Sequence, residues 1–126
     1  MKVINPIYLL AGVLAIGLAV GHELWGLTHL LNLLPPGYVS EIRCSISVIW
    51  HQQAAALLVI GSYLCLFSRK PQPSRTALRL ILTLLGIQYL VALSVILLVT
   101  PSLFIATFPQ LLIFSVLILV LYLGQR

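Results

Sequence analysis

Four side chains in this sequence could move a proton or hold a metal: His22, Glu23, His29 and His51. Three of them fall in one short stretch, GHELWGLTH at residues 21–29, inside a run otherwise fit for lipid. Imidazole titrates near neutral pH and, when neutral, ligates iron, copper or zinc. An ionised carboxylate at membrane depth is costly unless it is paired. These residues therefore need partners, and the elements that carry them must supply those partners.

The composition points to a membrane. Of 126 residues, 61% are hydrophobic and 7% charged, and the mean hydropathy is +1.15. A soluble domain of that composition would lack polar surface. The net charge of +5 is not a nucleic-acid signature, because the basic residues sit in connections and at the ends rather than in a stripe with aromatics. Cys44 and Cys65 form no CxxC pair. On one helix they would stand about 31 Å apart, too far for a disulfide.

Four apolar segments follow, at about 7–34, 44–67, 77–99 and 103–123. Each exceeds the roughly 20 residues that a helix needs to cross hydrocarbon. Pro35-Pro36-Gly37, the polar stretch from Ser68 to Arg75, and Thr100-Pro101-Ser102 separate them. The expected fold is all-α: a single polytopic domain over 1–126, an antiparallel four-helix transmembrane bundle. Lys2, Arg69, Lys70, Arg75, Arg79 and Arg126 fall on one side, and Arg43 alone on the other. The positive-inside rule then places both termini in the cytoplasm of an inner-membrane protein. Ala19-Val20-Gly21 imitates a signal-peptide cleavage site, but apolar sequence runs on to Leu34, which favours an uncleaved span.

Helical stepping gives each of the first two segments an inward face. In the first it selects Tyr8, Gly12, Ala15, Ala19, His22, Gly26 and His29; in the second, Cys44, Ser47, His51, Ala54, Leu58, Ser62 and Cys65. Both faces are rich in small residues, which let helices approach closely in lipid. His51 lies about 12 Å from the outer start of its segment, between His22 at about 18 Å and His29 at about 8 Å. The expectation is a polar pocket in the outer half of the bilayer, lined by His22, Glu23, His29 and His51. Gln88 and Gln110 could complete it, with Tyr89 and Thr107 as further polar neighbours. Trp25 and Trp50 could line the pocket as well, although each reads first as a packing or interface aromatic rather than as a substrate platform.

Several activities fit such a pocket. His22 and His51 on facing helices could bracket the iron of haem b, or the three histidines with Glu23 could hold a bare transition metal. A small ligand with a redox or proton-transfer role fits equally. The layout of four short spans with one acid in the first resembles the small multidrug-resistance exporters. That likeness implies proton-coupled export with Glu23 as the loading acid; it covers layout alone, since the other motifs of those exporters do not align here. An accessory or scaffold subunit of a larger membrane complex, or a homo-oligomer, needs no chemistry from His22. A lipid-directed enzyme ranks lowest, because no nucleophile stands beside the His/Glu pair; Ser45 and Ser47 are ordinary positions.

Overall fold

A computed structural model describes residues 4–26, 40–69, 74–98, 101 and 104–124. Among these residues the chain is all-helical, with four helices: α1 (Pro6–Trp25), α2 (Ser40–Phe67), α3 (Arg75–Leu98) and α4 (Phe104–Leu123). Three stretches, Pro6–Trp25, Ser47–Phe67 and Arg75–Leu98, are long and apolar enough to cross a membrane; Thr107–Leu123 is a shorter apolar helix.

Local chemistry sets the helix starts. Asn5 caps α1, its side-chain oxygen accepting from the Ile7 amide at 3.0 Å, and Pro6 takes the first turn, where its missing N–H costs nothing. Ser74 caps α3 in the same way, accepting from the Ala77 amide at 3.4 Å. Pro109 sits inside α4. It leaves the carbonyl four residues earlier without its usual donor.

The principal packing runs α2 on α1, α1 on α4 and α4 on α3. Each helix contributes a buried stripe at steps of three and four. On α1 the stripe comprises Tyr8, Ala11, Gly12, Ala15, Leu18, Ala19 and His22, largely as the sequence predicts. On α3 it is Leu78, Ile81 and Leu85; on α4 it includes Leu121, Leu117 and Phe114.

On α2 the buried stripe differs from the expected one. The structure buries Ala54, Leu57, Gly61 and Leu64, and Ser68 just past the helix end, whereas Cys44, His51, Leu58 and Ser62 are exposed. The reason is the α1–α2 crossing. A Cβ on Gly12 would stand 2.8 Å from the Gly61 carbonyl oxygen, and a Cβ on Gly61 would stand 2.8 Å from that of Gly12. Two backbones this close require glycine on both sides, so Gly61 rather than Ser62 must face α1.

One end of the molecule is clasped by backbone. The Asn5 amide donates to the Ser68 carbonyl at 2.8 Å, and the Tyr8 hydroxyl donates to the Gly124 carbonyl at 2.7 Å. The start of α1 and the ends of α2 and α4 therefore meet there, and α1 runs antiparallel to both partners.

Candidate functional site

Followed away from the clasp, each buried stripe ends on a group that can hydrogen-bond. On α1 the last buried side chain before Gly26 is His22. One step of four beyond Ala54 on α2 is Trp50, one step of three beyond Leu85 on α3 is Gln88, and one step of four beyond Phe114 on α4 is Gln110. His22, Trp50 and Gln110 meet in one layer, whereas Gln88 ends the α3 stripe next to Tyr89, which meets α4 at Ser115.

His22 is the centre of this layer and only 8% exposed. Trp50 lies flat on it, with ring centroids 3.8 Å apart and planes 8° from parallel. The Trp50 indole N–H donates to the backbone carbonyl of His22 at 3.0 Å, and Trp25 stacks on Trp50 with ring centroids 5.6 Å apart. A methyl group on Gly26 would land within the Trp50 indole, so that glycine is what lets the ring lie down. Nδ1 of His22 is 2.6 Å from the amide nitrogen of Gln110. With that amide donating, Nδ1 accepts, and the neutral ring carries its proton on Nε2.

Two buried atoms stand out. His22 Nε2 and Gln88 Oε1 are buried and have no hydrogen-bond partner among the described residues. Leaving such a group unmade costs about 1–3 kcal/mol each. Beside Gln88, α3 and α4 are already satisfied: Ser115 bonds the Tyr89 hydroxyl at 3.0 Å and the Leu111 carbonyl at 2.9 Å.

Glu23 and His51 form a second, more open group. The carboxylate oxygens lie 2.8 and 3.0 Å from His51 Nδ1, with the two side chains 27% and 52% exposed. The carboxylate accepts from Nδ1–H, which fixes the ring and leaves Nε2 as its basic atom, turned away from Glu23. Glu23 lies two residues before the end of the Pro6–Trp25 stretch, and His51 four residues after the start of Ser47–Phe67.

The four residues singled out for chemistry are thus divided. Glu23 and His51 pair with each other, while His22 pairs with Gln110 and Trp50; His29 lies outside the described residues. Among the described residues no group of three or more His, Cys, Asp or Glu side chains is placed to hold a metal. The sequence puts Trp50 among the aromatics that could line the pocket but does not show its hold on His22. A signal was present, since Trp50 falls one step of four from Ala54.

No protein-family model matches the chain, and neither the curated proteins nor the solved structures compared with it give a match.

Proposed function

We propose that this chain is an integral inner-membrane protein whose four helices all span the bilayer, with both termini cytoplasmic. Its work is proton transfer at a polar site in the outer part of the membrane, coupled to a small ligand or cofactor held in the adjoining His22 layer. The observation that carries this reading is the bond from His51 Nδ1 to the Glu23 carboxylate at 2.8 Å. A carboxylate that orients an imidazole leaves one ring nitrogen poised to accept and release a proton, the logic of general acid–base pairs.

The surface supports the membrane setting. Leu80, Leu84, Ile87, Val91, Val95 and Leu98 form an exposed stripe along α3, a contiguous apolar face that suits lipid and not water. The depth of Glu23 and His51, each within about 6 Å of a span end by helix rise, suits exchange with the aqueous side.

Nitrogen-15 NMR of histidine-labelled protein in lipid nanodiscs tests the pair. His51 is expected in the Nδ1–H tautomer, and to lose that preference in Glu23→Gln. An unchanged tautomer in that variant would sink the proton-transfer reading.

A further inference from the structure

We propose that the start of α3 binds one anionic phospholipid, with its phosphate held by Arg75 and Arg79 and an acyl chain laid over the bare backbone at Gly86. This rests on the membrane reading above but not on the Glu23–His51 pair.

Charge at the clasped rim has no answer within the chain. Arg69, Arg75 and Arg79 are exposed. Arg69 follows Ser68, whose carbonyl holds Asn5, and Arg75 acts across space on Tyr8 of the same clasp. Among the described residues none of the three arginines has an ion pair. The chain has two acids, Glu23 and Glu41. By helix rise Glu23 stands about 27 Å from Asn5, and Glu41 about 40 Å from Ser68. Both distances are several times the Debye length of about 8 Å at physiological salt. The counter-charge comes from outside.

Two of these cations are placed to share one anion. Orienting the chain requires basic residues near the span ends, but not two on one face. Arg75 and Arg79 are four residues apart and so lie on the same face of α3. Arg79 stands one turn inside the apolar Arg75–Leu98 stretch. The first turn of α3 contains no acid, and the helix dipole opposes a cation there. A phosphate between the two guanidinium groups offsets that opposition and suits their forked donors.

The same face continues into hydrocarbon as a trough. Steps of four, three and four from Arg79 reach Thr83, Gly86 and Leu90. Thr83 and Leu90 are exposed, and nothing lies within 4 Å of a Cβ added to Gly86. Exposed Leu80, Leu84 and Ile87 border this strip on one side. Gly86 is about 10 Å along the helix from Arg79, whereas the headgroup layer of one leaflet is roughly 5–8 Å thick. The glycine therefore meets acyl chain where the arginines meet phosphate. A free phosphate would occupy the first part alone; a phospholipid occupies both.

The test uses the full chain. Flotation with phosphatidylcholine liposomes comes first, and failure to float overturns the membrane reading and this proposal together. Native mass spectrometry from mixed micelles then compares phosphatidylglycerol with phosphatidylcholine of the same chains. An arginine near an anionic surface is worth about fivefold in binding, so phosphatidylglycerol is expected to bind at least tenfold more tightly. Arg75→Gln with Arg79→Gln is expected to remove the preference; Arg79→Lys, which keeps charge but loses the fork, replaces that pair if it does not fold. Gly86→Leu keeps both arginines, fills the trough, and is expected to weaken phosphatidylglycerol at least fivefold. Gly17→Leu, at an equally bare glycine of α1, is expected to change nothing, and excess glycerol phosphate is expected not to displace the lipid. Equal binding of the two lipids overturns the proposal, as does a preference that survives in the arginine variants. Unchanged binding in Gly86→Leu, an equal loss in Gly17→Leu, or displacement by glycerol phosphate also overturns it. In protein that floats, each of these failures leaves the membrane reading standing.

Discussion

Trp50 holds His22 twice, by a flat ring stack at 3.8 Å and by an indole N–H bond to the histidine's own carbonyl at 3.0 Å. The side chain and the backbone of one residue on α1 are thereby fixed by one residue on α2.

That double hold separates two substitutions. Trp50→Phe keeps a stacking ring and loses one bond, an expected cost of about 1 kcal/mol. Trp50→Ala loses both, at about 3 kcal/mol or more. Thermal unfolding in detergent should rank wild type above Phe above Ala; equal losses would show that the stack contributes nothing. Gly26→Ala should resemble Trp50→Ala, because its methyl displaces the same indole.

The glycines of α1 should behave in opposite ways. At Gly12 a Cβ meets backbone of α2, 2.8 Å from the Gly61 oxygen and 2.9 Å from the Cys65 nitrogen. Gly12→Ala is expected to destabilise by about 1–3 kcal/mol through forced separation of the helices. At Gly17 and Gly21 nothing lies within 4 Å of an added Cβ. Alanine there should stabilise by about 0.5–1 kcal/mol from backbone entropy alone. Destabilisation at Gly17 or Gly21 in the isolated protein would contradict the packing described.

Glu23 and His51 should be energetically coupled. A double-mutant cycle of Glu23→Gln and His51→Phe, read by thermal unfolding, is expected to give a coupling on the order of 1 kcal/mol, modest because both side chains are partly open. Additive single effects would mean that the bond is incidental.

Orientation can be read with thiol chemistry. Cys44 is exposed and lies three residues before the Ser47–Phe67 stretch. On intact cells a membrane-impermeant maleimide should label Cys44. In a Cys44→Ser background it should not label Ser74→Cys, which belongs to the other face. The reverse pattern would invert the topology.

Much of the fold follows from period alone, and the exceptions are instructive. The inward face of α1 is legible because Gly12, Ala15, Ala19 and His22 recur at steps of three and four with no competing small face through the histidine. The same rule applied to α2 from His51 selects a stripe one residue away from the buried one. Ala54 belongs to both, and sequence alone does not show that Gly61 must meet Gly12. The pairing of Glu23 with His51 is legible as one of two affordable states of a carboxyl group in apolar surroundings, the other being protonated Glu23. Gln110 and Gln88 are legible as polar residues needing partners. That one of them reaches His22, while the other leaves an atom orphaned, depends on side-chain reach across three helices, which no spacing rule encodes.

The Asn5–Ser68 and Tyr8–Gly124 bonds bear on where the molecule can change. At the opposite rim side chains do the holding: the His22–Trp50 stack, the Trp50 and Gln110 bonds to His22, and the Glu23–His51 pair. The Asn5–Ser68 bond runs from backbone to backbone and survives any side-chain replacement short of proline, so mutation reaches one rim of the molecule far more readily than the other.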